Sequence, residues 1–167
     1  MIAAVTGATG FVGSHVARAL VARGDTVRVL VRPGADRRAI QELPATIFAG
    51  DVTDRGSLDP FVRGADLLFH VAADYRLWAR HPSDLFKTNV EGTRHVLDAC
   101  RDASVERVVY TSTVSTVAVP RGGALPDETT AAGLGDMIGA YKQSKFLAER
   151  APIDWVLGRI DIPFLES

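Results

Sequence analysis

Thr6-Gly7-Ala8-Thr9-Gly10-Phe11-Val12-Gly13 follows the apolar run Met1 to Val5 and leads into residues 11–23, where apolar side chains recur at helical spacing. The order is a strand, a glycine turn and a helix N-terminus. In that setting Gly7 allows the tight turn, Gly10 lets backbone approach a pyrophosphate, and Gly13 lets helix pack on strand. Thr9, Phe11 and Val12 complete the turn, and the unpaired N–H groups at the positive end of the helix dipole would hold the phosphates. Three glycines also occur in ordinary turns. Their place between a strand-like and a helix-like run is what points to dinucleotide binding, on a three-and-three variant of the G-x-G-x-x-G spacing.

The chain has 167 residues, enough for one domain with a real core, and its 47% hydrophobic and 23% charged residues are those of an ordinary soluble globule. A net charge of −1 without a Lys/Arg block gives no footprint for nucleic acid or a membrane surface, so small molecules are the expected partners. The first strand begins at once, with no basic leader and no apolar run near the roughly 18 residues of a membrane span. A cytoplasmic chain is expected. The single cysteine, Cys100, falls in a helical pattern and is read as packing rather than as a reactive thiol. No metal-ligand set is expected.

Beyond the first helix, Gly24 stands where a C′ glycine belongs, and Thr26 to Val31 reads as a second strand. Asp36 to Leu43 predicts a short helix, Thr46 to Ala49 a third strand, Leu58 to Val62 a helical turn or two, and Ala65 to Val71 a buried parallel strand. Residues 82–103 carry an amphipathic pattern that predicts one long helix, and Arg107 to Thr111 a fifth strand. Ala118 to Met137 is the longest loop and a candidate border of a substrate cleft. Strands alternating with helices predict an α/β fold, a doubly wound parallel sheet of five or six strands with its ligand over the carboxyl ends.

Three further places carry chemistry. At the end of the second strand, where an NAD enzyme would present an acid to the ribose, the chain has Arg32, which can pair with a 2′-phosphate and favours NADP while leaving NAD open. Asp51, followed by Val52, ends the third strand and reads either as an acceptor for adenine or as a turn residue. Tyr141 and Lys145 share one helix face, and an ammonium near a phenol favours phenolate and prepares it for proton transfer. Tyr110-Thr111-Ser112-Thr113 supplies hydroxyls from the fifth strand's end.

Together with His70-Val71-Ala72-Ala73 and Asn89-Val90-Glu91-Gly92-Thr93, these stretches resemble the extended short-chain dehydrogenases of the NAD-dependent epimerase/dehydratase family. Within it, Phe69 to Arg80 and Asp136 to Glu149 are similar to the hopanoid-associated sugar epimerases and dihydroflavonol reductases. The likeness covers roughly residues 1–149 of a single Rossmann domain and leaves 150–167 as an atypical tail. It implies Tyr141 as acid/base, Lys145 as its electrostatic partner and ribose anchor, and Thr113 as the catalytic hydroxyl. Ser112 would lie near the nicotinamide, Ala72 and Ala73 along the adenosine, and Asn89 behind the site. His70 is read as a core histidine rather than a base, and Tyr75 and Trp78 as loop packing rather than substrate contacts. The implied activity is hydride transfer between nicotinamide and a carbinol or carbonyl carbon of a sugar, nucleotide sugar or ketone; the alternative is a cofactor-binding module without turnover.

Members of the family continue into a C-terminal substrate half with an Asn-Pro or Arg-Pro segment that seats the nicotinamide. Here only Asp154 to Ile160 reads as a sixth strand, with Pro152 ending the helix before it. Weak cofactor binding and poor turnover are therefore expected of this chain, unless a homodimer completes the site.

Overall fold

The computed structural model describes residues 1–118, 125–127, 129–130 and 132–156. Five parallel strands, β1 (Ile2–Thr6), β2 (Thr26–Val31), β3 (Ala45–Ala49), β4 (Leu67–His70) and β5 (Arg107–Tyr110), form one sheet in the order β3-β2-β1-β4-β5. Helix α1 (Phe11–Ala22) links β1 to β2, and α2 (Arg55–Val62) links β3 to β4. The chain order reverses across β1, which opens a crevice at the carboxyl ends of β1 and β4.

The near-continuous apolar runs of β1, β4 and β5 follow from burial on both faces, while the edge strand β3 has no fully buried residue. In β1, Ala4 points into a cluster with Leu68, Val108, Phe61 and Val96, while Ala3 and Val5 point the other way, toward Val27, Val29, Ala17 and Leu20. Cys100 is fully buried in the first cluster, where lack of solvation pushes its thiol up to about 12; it packs and does not react. Helix α1 ends as expected of a C′ glycine: Gly24 has φ 91, its N–H donates to the Val21 carbonyl, and that of Asp25 donates to Leu20.

Several boundaries differ from the sequence reading. The short helix expected over residues 36–43 is only a 3-10 turn at Arg38–Ile40. Helix α2 begins three residues earlier than its apolar pattern, because the Asp54 carboxylate accepts the Gly56 N–H and caps it there. The long helix from Pro82 is divided into α3 (Pro82–Phe86), a π-helical turn (Lys87–Glu91) and α4 (Gly92–Asp102). That extra residue per turn carries Asn89 inward, and Gly92 lets the backbone pass Val52, whose Cγ2 would lie 2.8 Å from a Cβ there.

The expected sixth strand does not begin at Asp154. Helix α5 (Ala140–Val156) runs through Pro152, and residues 157–160 lie outside the described residues. Pro152 forfeits one helical hydrogen bond, yet the helix continues because Ala148 and Pro152 are buried and Ala151 packs on the sheet core. Tyr75 and Trp78, expected to pack within their loop, each stand 79% exposed. Part of the loop Ala118 to Met137 lies outside the described residues.

Candidate active site

The turn after β1 is built on backbone contact. Gly7 has φ 72, and a Cβ there would come within 2.6 Å of the Ala72 nitrogen. At Gly13 a Cβ would lie 2.3 Å from the Gly7 carbonyl oxygen, so α1 can approach β1 only as glycine. Gly10 differs: a Cβ would touch nothing closer than the Gly7 oxygen at 3.4 Å. It is the N-cap of α1 and supplies no side-chain cap, which leaves the helix's first N–H groups available to an outside acceptor.

Above this turn opens a cleft of about 900 Å³. Its lining brings together Gly7, Thr9, Gly10, Phe11, Val12 and Gly13 with Ala72 and Ala73 from the end of β4. Arg32 and Asp51 with Val52 border one side, Ser112, Tyr141 and Lys145 the other. Arg32 is exposed beyond β2. Asp51 Oδ1 accepts from the Thr53 N–H and hydroxyl, both at 2.9 Å, so one carboxylate oxygen serves the turn while the residue still lines the cleft. Asp74 and Arg76 also line it, and the Arg76 guanidinium holds the Asp74 carboxyl below the usual carboxylate range, with a smaller contribution from Arg32.

Thr113 stands apart. Its hydroxyl accepts the Ser115 N–H at 3.3 Å and lies 3.1 Å from the Ser115 hydroxyl, capping a 3-10 turn at Val114–Thr116, and it does not line the cleft. Ser112 Oγ does the reverse. It is buried in the cleft wall with no hydrogen-bond partner among the described residues.

Lys145 is 3% exposed and makes a different contact from the one its spacing implies. The ammonium donates to the Tyr110 hydroxyl and to the Thr111 carbonyl, both at 3.0 Å. Among the described residues no hydrogen bond joins it to Tyr141, which lines the cleft half-buried. Burial lowers the Lys145 ammonium to about 8, with Glu149 opposing the shift. The same burial raises the Tyr110 phenol above its ordinary range, helped by Glu149 and Tyr141.

Behind this pair runs a chain of buried polar groups whose hydrogens can be assigned. Thr6 Oγ1 accepts from the N–H groups of Val71 and Ala72, both at 3.2 Å, so its own hydrogen goes to His70 Nδ1 at 2.8 Å. His70 therefore carries its hydrogen on Nε2, toward Thr93 Oγ1 at 3.0 Å, and Thr93 donates to the Asn89 carbonyl at 2.5 Å. Burial, and secondarily the Lys145 charge, holds the imidazole neutral down to about 3. Asn89 accepts the Asp74 N–H at 2.7 Å and donates to the Asp74 carbonyl at 3.0 Å and to the Ser144 hydroxyl at 2.9 Å. It ties the cleft wall to α5.

Sequence reasoning did not find Tyr110 as the acceptor for Lys145, nor Thr93 and Ser144 as links. Tyr110 carried a signal: a phenol at the last residue of a fully apolar strand needs a buried partner.

Fold and cleft define a Rossmann-type dinucleotide-binding domain. The chain belongs to the NAD dependent epimerase/dehydratase family, whose model matches residues 3–156. A Synechocystis protein named "Putative dihydroflavonol 4-reductase" is 43% identical over 146 residues, covering 87% of this chain and 42% of that protein. The crystal structure of gox2253 superposes with a TM-score of 0.89 at 46% identity, covering 95% of this chain and 48% of the other. That of the Thermus thermophilus UDP-glucose 4-epimerase complex with NAD gives 0.80 at 28% identity, covering 94% and 51%. The chain thus spans about half the length of these relatives. Among the described residues no helix is long and apolar enough to cross a membrane, and no group of three or more His, Cys, Asp or Glu could hold a metal ion.

Proposed function

We propose that the chain binds a nicotinamide dinucleotide in this cleft and contributes to a reductase or epimerase that transfers hydride to or from a carbinol or carbonyl carbon. The observation that carries the reading is the uncapped glycine turn opening into the same 900 Å³ volume as Tyr141, Lys145 and the orphan Ser112 hydroxyl. The residues fit the cofactor: Gly10 leaves room where backbone would meet the pyrophosphate, and Ser112 Oγ lacks the partner that a ring amide or substrate oxygen would supply. When bound, the nicotinamide supplies the hydride.

The protein's own part is to bind, orient and move a proton. Arg32 meets the ribose 2′-phosphate and favours NADP, Asp51 and Val52 border the adenine, and Ala72 with Ala73 passes the adenosine at backbone distance. Lys145 anchors the nicotinamide ribose, and Tyr141 exchanges the proton with the substrate oxygen. Ketone reduction is favoured over epimerisation by Arg32 and by the name of the Synechocystis relative, while a nucleotide sugar remains the substrate class of the Thermus one.

The test is titration with NADPH and NADH, then turnover on small ketones and nucleotide sugars. Failure of both cofactors to bind overturns the reading. One observation favours a module that binds without turnover: the Thr113 hydroxyl, which the family likeness makes catalytic, is occupied as a cap outside the cleft. Binding with no turnover on any substrate would select it.

A further inference from the structure

We infer that Tyr110 is the positioning residue for Lys145: its buried phenol and the Thr111 carbonyl take two ammonium hydrogens and turn the third into the cleft. The inference rests on reading Lys145 as the ribose anchor, and it concerns a residue that the Tyr-x-x-x-Lys spacing does not include.

The geometry leaves little freedom. Lys145 Nζ has two acceptors at 3.0 Å, lies 4.7 Å from the centre of the Tyr110 ring, and reaches the cleft while its residue is 3% exposed. A flexible four-carbon stem would otherwise cost rotamer entropy to hold in one pose. The phenol can serve only as an acceptor toward the charged Lys145, because an ammonium has hydrogens to give and no lone pair to receive one. Thr93, the hydroxyl beside it, already gives its hydrogen to the Asn89 carbonyl and has a lone pair left after accepting from His70. His70 is fixed in turn by Thr6, whose lone pairs are filled by the Val71 and Ala72 amides.

Two donor directions are thus set separately: Thr6 to His70 and His70 to Thr93 behind the cleft, and Lys145 to Tyr110 at its wall. The groups facing Lys145 are Tyr110 from β5, His70 from β4 and Glu149 from its own helix, while Tyr141 acts on the Tyr110 phenol. Glu149 favours the charged ammonium and burial disfavours it, so loss of one of its two acceptors shifts the balance toward the neutral amine.

The experiment uses Tyr110→Phe, which keeps the ring that packs on Val90 and Ala148, in the full chain. Carbamylation by cyanate, a small probe that attacks only the neutral amine, is followed by mass spectrometry at Lys145 from pH 6 to 10. The parent midpoint is expected near 8, and the variant's at least about half a pH unit lower. NADPH titration should show about five- to twentyfold weaker binding in the variant, the size of a lost hydrogen bond to a charged group. An unchanged midpoint overturns the role of Tyr110 whether or not cofactor binds. A shifted midpoint with unchanged affinity confirms the hold on Lys145 and overturns its assignment as ribose anchor. Thr93→Val is the second variant: it disturbs the buried polar cluster beside the phenol but leaves both Lys145 acceptors in place, so its midpoint is expected to stay near the parent's, while a shift as large as that of Tyr110→Phe would assign the effect to the cluster as a whole and overturn the proposal.

Discussion

The Gly7 carbonyl oxygen sits 2.3 Å from where a Cβ of Gly13 would be, closer than side-chain carbons approach any atom. The glycine turn and the first helix are therefore one rigid unit. Gly10, three residues before Gly13, touches almost nothing, although the motif treats the two alike.

Gly13→Ala and Gly10→Ala should consequently separate folding from binding. Gly13→Ala forces α1 off β1 and is expected to cost about 2–3 kcal/mol, the range of core overpacking. Gly10→Ala has φ −87, which any residue adopts, and should change stability by less than about 1 kcal/mol while cofactor affinity falls about tenfold or more. Urea unfolding and cofactor titration on both variants check this. Equal losses of stability would mean that the cleft side of Gly10 is not open.

Arg32→Ala is expected to weaken NADPH about five- to a hundredfold, a charge-assisted bond of about 1–3 kcal/mol at an exposed site, and to leave NADH unchanged. Raising salt should narrow the parent's preference, since an exposed guanidinium is screened. Parent and variant that bind both cofactors alike would remove Arg32 from the site.

The sheet was legible because its strands are apolar on both faces and punctuated by Gly24, Gly50 and Gly64, so periodicity and breakers agreed. The tail was misread at Pro152, where burial of Ala148 and Pro152 and packing of Ala151 on the sheet core sustain a helix that local propensity would end. The π-helical turn at Lys87–Glu91 was invisible, since the amphipathic pattern of residues 82–103 runs through it without a glycine or proline to mark it. At the site, Tyr141 and Lys145 were found by spacing, but spacing says only that two side chains share a face. It could not show that β5 offers Lys145 a nearer phenol.

Tyr141→Phe removes the exchangeable proton and keeps the ring, so kcat on any accepted substrate is expected to fall by about two orders of magnitude or more. Because Lys145 is held by Tyr110 and Thr111 and makes no hydrogen bond to Tyr141, cofactor affinity should stay within about twofold. Turnover in the variant near that of the parent would assign proton transfer elsewhere, with Ser112 as the hydroxyl to test next.

His70 gives a prediction on stability alone. It is fully buried, accepts from Thr6, donates to Thr93, and is held neutral down to about 3 by burial and by the nearby Lys145 charge. Unfolded, its imidazole takes a proton near its ordinary value of about 6.5, so below that pH the unfolded chain binds a proton that the folded chain refuses. The stability from neutral His70 is thus complete above about pH 6.5 and is lost as pH falls toward 3. Between pH 7 and 5 this residue should remove about 2 kcal/mol of unfolding free energy. That window isolates it from the two other perturbed classes. Lys145, lowered to about 8, has finished its change above it, and the carboxylates held low by arginine partners, Asp25, Asp36 and Asp74, lose their stabilisation only below their ordinary value of 3.8. Urea unfolding of the parent at pH 7 and 5 should therefore show the drop, and His70→Gln, less stable at pH 7, should show a smaller one. A parent whose stability is flat from pH 7 to 5 would mean that the imidazole is protonated in the fold, and the Thr6 to Thr93 hydrogen-bond order would have to be reversed.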